Sequence, residues 1–225
     1  MDTIATGYVA ARAAMVEHQL RRRGIIEQPI LDAFLNVPRE WFVGPDDAEF
    51  AYGDHPLPIA AGQTISQPYI VALMVQAAQI AAGDVVLEVG AGSGYVAAVI
   101  GRIAGKVIAV ERQHDLVADA RERLARLNLD NVAIVEGDGT TGWPDEAPYD
   151  AIVAAASGSH VPQALLDQLK PGGRIVMPLG DHRAAQQLIK VTKRGDGSLE
   201  EESLGAVRFV PLIGEEGWSD AGRHD

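Results

Sequence analysis

The stretch VVLEVGAGSGYVAAVIG, residues 85–101, decides the fold class of this chain. It opens with five residues, apolar except for Glu88, of the kind found in strands that are buried on both faces of a parallel sheet. Gly90, Gly92 and Gly94 follow at alternate positions, ahead of a pattern that predicts a helix. Because glycine permits sharp turns and close approach of a ligand to the backbone, this order predicts a binding crevice at the carboxyl end of a parallel strand.

Alternating strands and helices surround this stretch and continue along the chain. Apolar, β-branched runs predict further buried strands at residues 106–110, 132–136, 150–155 and 174–179. Helical patterns lie between them, near residues 93–103, 113–127 and 161–169. Beyond residue 185, QQLIKVT and SLGAVRFVPL on either side of the turn signal RGDGS predict a closing antiparallel strand pair. The alternation predicts an α/β fold with a mostly parallel sheet and helices on both faces.

The first eighty residues do not show this alternation of strands and helices. Apolar residues recur at helical spacing over residues 9–23, 28–35 and 68–81. Between the second and third of these patterns lies a loop rich in Pro, Gly and aromatic residues. We therefore divide one compact domain into a helical N-terminal cap with its loop, residues 1–82, and an α/β core with C-terminal strands, residues 83–225.

The composition excludes several classes of protein. Hydrophobic residues make up 47% and charged residues 22%, as in globular proteins, and no apolar run reaches the ~20 residues that span a membrane. The N-terminus lacks the pattern of a secretory signal, and the absence of cysteine excludes disulfides, a thiolate nucleophile and a cysteine-based zinc site. We expect a cytoplasmic protein without a membrane partner.

The charge distribution argues against a nucleic-acid partner. The formal net charge is −12, whereas binding to a phosphate backbone requires a basic face. The basic cluster at residues 21–23 is interpreted as a solvated helix end. The six histidines show no pair at metal-ligand spacing, so we expect no metal site.

The glycine turn fits two motifs that bind different ligands. GSGYVA, residues 92–97, fits a dinucleotide pattern, although the third glycine counted from Gly90 would fall at Tyr95. Glu88, two residues before the turn, instead gives E-x-G-x-G-x-G, which resembles the first motif of S-adenosylmethionine-dependent methyltransferases. In that interpretation Glu88 either orients the amides of the turn or meets the cationic amino-acid end of the cofactor.

Two further strand ends carry candidate cofactor residues. Glu111 ends the second strand, where a carboxylate can accept hydrogen bonds from both hydroxyls of a ribose. The alternative is a surface glutamate that pairs with Arg112. Asp138 and Gly139 follow the third strand and are candidates for contact with the adenine edge, although GDG alone would indicate only a turn.

AAGQTISQPYIV, residues 60–71, leaves one question open. Ser66 precedes Pro68 and an apolar run, so it fits the N-cap of a helix. The same hydroxyl could instead be presented to a substrate.

Over about residues 15–218 the chain resembles the protein-L-isoaspartate O-methyltransferase family. The resemblance is carried by MVEHQLRRRGI, VPREWFV, AYGDHPLPIAAGQTISQPY, VLEVGAGSGY, EGDGTTGW, VPQALLDQLKPGG and VRFVPLIGEEGW. It implies a Rossmann-like methyltransferase fold, S-adenosylmethionine as cofactor, and methyl transfer to the free carboxylate of L-isoaspartyl residues in damaged proteins and peptides. An S-adenosylmethionine-dependent methyltransferase for another carboxylate or a small molecule, and a nicotinamide-dependent oxidoreductase, are the alternatives.

The resemblance also implies roles for individual residues. Ser66 is the active-site hydroxyl, Asp54 contributes to the peptide cleft, and the enzyme acts as a monomer. The residues assigned to the cofactor are Thr64, Glu88, Gly90, Gly92, Gly94, Glu111, Arg112, Asp138 and Gly139.

One segment departs from the family pattern. Where the family usually carries one or two prolines, this chain has Ser157, Gly158, Ser159 and His160. Proline stiffens a loop and this sequence does not. Because the loop follows the fourth strand at its carboxyl end, we expect it to border the peptide site, where it affects the choice of substrate or is a neutral variation.

Overall fold

A seven-stranded sheet forms the centre of the computed structural model, which describes residues 3–181 and 184–219. A two-stranded antiparallel hairpin lies apart from it. The strands are β1 (Leu57–Pro58), β2 (Thr64–Ile65), β3 (Val85–Val89), β4 (Lys106–Glu111), β5 (Val132–Glu136), β6 (Tyr149–Ala154), β7 (Leu169–Leu179), β8 (Gln186–Lys193) and β9 (Leu199–Val207).

The sheet is parallel except at one edge. Its order is β5-β4-β3-β6-β7-β8-β9, and the pairs from β5 to β7 are all parallel. β8 is antiparallel to both of its neighbours, which confirms the predicted closing pair. Because the strand order reverses direction between β4 and β6, the carboxyl ends of β3, β4 and β6 open onto a common crevice.

The last predicted strand was misplaced. The run SLGAVRFVPL, residues 203–212, was expected in the sheet, but β9 ends at Val207. Residues beyond it bond to another segment: the Ser157 amide donates to the Val210 carbonyl at 2.8 Å, and the Leu212 amide donates to the Ser157 carbonyl at 2.9 Å. These hydrogen bonds draw residues 210–213 away from the sheet and towards the crevice.

The helices agree with the predicted periodicities. They are α1 (Thr3–Met15), α2 (Gln28–Asn36), α3 (Pro68–Ala78), α4 (Tyr95–Gly101), α5 (His114–Arg126) and α6 (Gln163–Asp167). α3 to α6 are shorter than predicted, α2 is one residue longer, and α1 begins earlier, at Thr3. α1 continues through a π turn, Val16–Leu20, and a 3-10 turn, Arg21–Arg23, which ends at Gly24 with φ 93°. The three arginines are exposed, as the interpretation as a solvated helix end requires.

The two faces of the sheet are covered unequally. Alternate residues of a strand point to opposite faces, so Val86 packs in a core shared with α1 to α5, whereas Leu87 packs in a second core with Leu165 of α6 and Leu212. The first core includes residues of the N-terminal cap, such as Phe34. The second face is therefore completed by one short helix together with the C-terminal segment.

No helix of the described ranges is both long and apolar enough to cross a membrane.

A tight contact at the end of α4 yields a stability prediction. A Cβ on Gly101 would lie 2.4 Å from Cγ2 of Val132, and a β-branched side chain has little rotamer freedom to move aside. Gly101→Ala should therefore destabilise the protein by about 1–3 kcal/mol, measured by urea unfolding, although alanine favours helices.

Gly7 supplies the matched control for this substitution. It is an exposed residue of α1, and no other described atom lies within 4 Å of the added Cβ. Gly7→Ala should be neutral or stabilise by up to ~1 kcal/mol. In the Gly101→Ala background, Val132→Ala should restore part of the lost stability, and equal effects of the two glycine substitutions would contradict the steric explanation.

Candidate active site

The glycine turn between β3 and α4 forms the floor of the crevice. Gly90, Gly92 and Gly94 have φ angles of 85°, 54° and 86°, a region that residues with a Cβ adopt rarely. Gly94 also stands at the N-cap of α4, where an added Cβ would lie 3.0 Å from the Cβ of Ala120. The turn thus needs glycine both for its backbone conformation and for close packing against α5.

Several segments enclose this crevice. They include the hairpin strand β2 on one side and the segment after β9 on the other. The lining residues are 63–66, 88–93, 95, 96, 110–113, 139, 155, 156 and 210–213.

Glu111 fixes the shape of the glycine turn. Its Oε2 accepts a hydrogen bond from the Gly92 amide at 2.8 Å, and its Oε1 accepts one from the Gln113 amide at 2.9 Å. Only 7% of the residue is exposed, so the alternative of a surface glutamate is wrong. Each carboxylate oxygen retains acceptor capacity for a ligand in the crevice.

Glu88 is a buried carboxyl group without a partner. The residue is fully buried, and neither of its oxygens has a hydrogen-bond partner in the part of the chain that the structure describes. Burial, reinforced by the nearby Glu111 carboxylate, holds the pKa of Glu88 well above its ordinary range. Of the two roles considered for Glu88, orienting the amides of the turn is performed by Glu111 instead. The two carboxyl oxygens of Glu88 are therefore available to a ligand.

Ser66 lies in the crevice wall and does not cap α3. The N-cap is Gln67, without a side-chain cap, so the N-cap interpretation of Ser66 is wrong. The chain enters the helix one residue later because Pro68 occupies the first turn. Within the described residues the Ser66 hydroxyl makes no hydrogen bond, whereas its carbonyl accepts one from Nη2 of Arg39 at 2.7 Å.

Of the neighbours Asp138 and Gly139, only Gly139 lines the crevice. A Cβ there would lie 2.6 Å from Cγ1 of Val89. The Asp138 carboxylate instead accepts hydrogen bonds from the Thr140 amide and hydroxyl and from the Glu215 amide, at 2.9, 2.7 and 2.8 Å. Partial burial opposes ionisation, but these hydrogen bonds hold the pKa of Asp138 below its ordinary value. Asp138 therefore anchors the C-terminal segment beside the crevice.

The wall formed by residues 210–213 was missed by the sequence analysis. Its apolar residues were assigned to a strand, and nothing in their pattern distinguishes a strand from a segment that packs against a ligand site. The carbonyl of Ser157 holds this wall through the Leu212 amide and through Nε1 of Trp218, both at 2.9 Å.

The loop that departs from the family pattern is tied down by its neighbours. Besides the bonds of Ser157, the Gly158 amide donates to the Pro178 carbonyl at 3.1 Å. A Cβ on Gly158 would lie 2.6 Å from the carbonyl oxygen of His160. Main-chain hydrogen bonds thus supply the order that proline supplies elsewhere. Ser157 is buried behind the wall, while Ser159 and His160 are exposed, and none of these residues lines the crevice.

Of the predicted site residues, Thr64, Ser66, Glu88, Gly90, Gly92, Glu111, Arg112 and Gly139 line one crevice. Gly94, at the N-cap of α4, is not among the lining residues. Asp54 lies outside its lining and pairs with Arg23 at 2.8 Å, and the guanidinium of Arg23 is 3.4 Å from the ring centroid of Tyr69.

The chemistry of this crevice suits a cationic ligand with hydroxyl groups. It combines two buried carboxyl groups with glycine main chain and apolar walls. No cluster of metal-ligating side chains occurs within residues 3–181 and 184–219.

Comparisons with known proteins agree with this geometry. A model of the family described as "Protein-L-isoaspartate(D-aspartate) O-methyltransferase (PCMT)" matches residues 10–217. Protein-L-isoaspartate O-methyltransferase 1 of Rhodopseudomonas palustris is 51% identical over 96% of this chain and 88% of its own length. The protein-L-isoaspartate O-methyltransferase of Methanoculleus marisnigri is 51% identical over 92% of this chain and 93% of its own.

Solved structures give the same result. A protein-L-isoaspartate O-methyltransferase is similar with a TM-score of 0.81 and 31% identity, over 91% of this chain and 66% of its own. A Plasmodium falciparum protein is described as a putative protein-L-isoaspartate O-methyltransferase in complex with S-adenosyl-L-homocysteine. It is similar with a TM-score of 0.77 and 29% identity, over 90% of this chain and 98% of its own. The Rossmann-like methyltransferase fold is confirmed, and the chain belongs to the protein-L-isoaspartate(D-aspartate) O-methyltransferase family.

Proposed function

We propose that this protein transfers the methyl group of S-adenosylmethionine to the free carboxylate of L-isoaspartyl residues in damaged proteins and peptides. Family membership supports the reaction class, and the observation that carries the proposal is the composition of the crevice. Ser66, whose hydroxyl has no partner among the described residues, and Glu88, whose carboxyl group has none there either, line the same crevice.

The residues present fit the cofactor. Glu88 offers two free carboxyl oxygens to the cationic amino-acid end, which would supply the missing partner of this buried group. Glu111, already oriented by two main-chain amides, offers its remaining lone pairs to the ribose hydroxyls. The glycine main chain at residues 90 and 92 lies against the ligand, and Gly139 borders the adenine position. Thr64 and Arg112 line the same space.

The proposed reaction requires little acid–base machinery. The acceptor carboxylate is ionised at neutral pH, since its ordinary pKa is ~3.5, so no residue has to remove a proton. When bound, the cofactor supplies an electrophilic methyl group on a positively charged sulfur. Ser66 donates a hydrogen bond that orients the acceptor carboxylate, and the apolar wall at residues 210–213 excludes water from the reacting atoms.

A second candidate is methylation of another carboxylate or of a small molecule by the same machinery. The observation that favours it is the loop around Ser159 and His160, which departs from the family pattern and exposes a hydroxyl and an imidazole joined at 2.9 Å. The nicotinamide alternative is withdrawn, since GSGYVA belongs to the glycine motif of a methyltransferase family in this chain.

Some assignments from the sequence remain predictions. They are the role of Asp54 in the peptide cleft, the contact of Asp138 with adenine, action as a monomer in the cytoplasm, and the absence of nucleic-acid partners.

Paired peptides test the reaction directly. The protein is incubated with S-adenosylmethionine labelled in the methyl group and with two peptides that differ only in an aspartyl or isoaspartyl linkage. Base-labile label should appear in the isoaspartyl peptide and be at background in its partner. Cofactor binding without label in either peptide would favour the second candidate.

Ser66→Ala tests the role of the hydroxyl. Loss of a hydrogen bond to a charged group costs about 1.5–3 kcal/mol, so kcat/KM for the isoaspartyl peptide should fall roughly 10- to 100-fold. Affinity for S-adenosylhomocysteine, measured by calorimetry, should stay within about twofold because the ligand has other partners. Ser203→Ala, on the exposed strand β9, is the control. Parallel loss of cofactor affinity and turnover would contradict the assigned role.

Glu88→Gln should stabilise the protein without cofactor. In the unfolded chain the ordinary pKa of this group is 4.5, and in the folded protein the pKa is raised. The native state therefore holds the proton over a range where the unfolded state has lost it, so the stability of the native protein falls as pH rises from 4.5 to the raised pKa. Glutamine has no proton to lose, and its gain in melting temperature should grow across that window.

The same variant should bind the cofactor more weakly. An ionised Glu88 attracts the cationic ligand, so affinity should rise with pH through the raised pKa in the native protein and stay flat in Glu88→Gln. Affinity for S-adenosylmethionine should drop about tenfold or more at neutral pH. Glu122→Gln, on the exposed side of α5, should change neither property. Unchanged affinity in Glu88→Gln would remove Glu88 from the site.

A further inference from the structure

Arg39 is a fully buried cation outside the crevice lining. It begins a 3-10 turn, Arg39–Phe42, in the N-terminal cap, and its relative exposure is 0%. Burying an isolated charge carries a large free-energy penalty unless the charge is paired. Within the described residues Arg39 makes no ion pair, and its Nη1 has no hydrogen-bond partner.

The nearest polar groups do not neutralise this charge. Glu40, the next residue, is committed to Arg12 at 3.0 Å and to the hydroxyl of Tyr52. The guanidinium carbon of Arg39 lies 4.8 Å from the ring centroid of Tyr95. Burial raises the pKa of Tyr95 to about 12, so this phenol is neutral. Among the described residues Arg39 therefore has no anionic partner, and the cation–π contact with Tyr95 offsets only part of the cost of burying the charge.

The hydrogen bonds of Arg39 go to two main-chain carbonyls. Nε donates to the carbonyl of Ala51 at 2.8 Å, and Nη2 donates to the carbonyl of Ser66 at 2.7 Å. These residues lie at the two ends of a segment, residues 51–66, within the Pro- and Gly-rich loop of the N-terminal cap. The rigid guanidinium donates to the two carbonyls from two nitrogens in a fixed geometry, whereas a lysine ammonium offers one nitrogen on a flexible stem. Burying the Arg39 charge carries a free-energy cost, and one of its hydrogen bonds goes to Ser66, the residue with the proposed active hydroxyl. Together these observations indicate a role beyond packing.

We propose that Arg39 is a positioning residue for methyl transfer: its guanidinium fixes the main chain of Ser66 and keeps an unpaired positive charge beside the place where the acceptor carboxylate meets the Ser66 hydroxyl. The role rests on the proposed function. The charge of Arg39 also gives an acidic protein a local attraction for an anionic acceptor. Among the described residues no hydrogen bond joins Arg39 to the glycine turn, Glu88 or Glu111, and its contact with the crevice lining is to the ring of Tyr95.

Arg39→Lys tests the proposal because it should change KM for the peptide without changing the affinity for the cofactor product. Lysine retains the charge but loses the forked pair of hydrogen bonds, so KM for the isoaspartyl peptide should rise about tenfold and kcat should fall. The Kd and stoichiometry for S-adenosylhomocysteine, measured by calorimetry, should stay within twofold of the native values. A purely structural role would instead lower the stoichiometry with the folded fraction and leave KM unchanged, and that result would overturn the proposal.

Arg12→Lys is the matched control. Arg12 is also a largely buried arginine of the cap, but it is paired with Glu40 and does not contact Ser66. It should lower the melting temperature and leave KM for the peptide unchanged. In the double variant Arg39→Lys/Ser66→Ala, the loss in kcat/KM should be smaller than the product of the single losses, since a misplaced Ser66 matters less without its hydroxyl. Fully multiplicative losses would contradict action through Ser66.

Two readouts keep the proposal distinct from the function on which it rests. If the native protein fails to methylate the isoaspartyl peptide, the proposed function fails, whatever the variants do. If Arg39→Lys does not fold, arginine side-chain NMR on the native protein decides. The Arg39 signals should shift when the peptide is added to the S-adenosylhomocysteine complex, and unchanged signals at saturating peptide would refute the proposal.

Discussion

Two carboxyl groups buried at the ends of adjacent parallel strands constrain the rest of this molecule. Glu88 lies on β3 and Glu111 on β4, in strands paired residue by residue from Val85 to Val89. Like charges in a buried site repel each other, and the protein relieves this by giving the two groups different environments. Glu111 is satisfied by two main-chain amides and holds the glycine turn, whereas Glu88 has no hydrogen-bond partner among the residues that the structure describes. A buried carboxyl group in this environment favours a cationic ligand.

The N-terminal cap and the C-terminal segment supply what the sheet cannot. The sheet and its glycine turn form the floor, but the Ser66 hydroxyl comes from the cap and the apolar wall at residues 210–213 comes from beyond β9. Each is held by a polar side chain: Arg39 binds the main chain of Ser66, and Asp138 binds the amide of Glu215. The sheet, the cap and the C-terminal segment therefore meet at one crevice.

The sequence predicted the fold best where a local pattern dominates. β3 and β5 were predicted with their observed bounds. A short, mostly apolar run between turn residues is typical of a buried strand in a parallel sheet, and the turns mark where it ends. Ser66 was misread locally, since a serine before proline fits an N-cap, and only the path of the main chain shows that Gln67 takes that place. The wall at residues 210–213 and the role of Arg39 depend on contacts between segments far apart in sequence. An arginine in VPREWF looks like an ordinary surface charge until its burial is seen.

An acidic protein that receives an anionic acceptor is not a contradiction in this geometry. Charges on the surface are screened over ~8–10 Å, so the net charge of −12 acts mainly on long-range approach. Inside the crevice the relevant charges are few. Glu111 and an ionised Glu88 are balanced in part by a cofactor whose sulfonium and ammonium charges outweigh its own carboxylate. Arg39 then adds an unpaired positive charge behind Ser66, where water cannot screen it. Local arrangement, and not overall charge, makes the site receptive to a carboxylate.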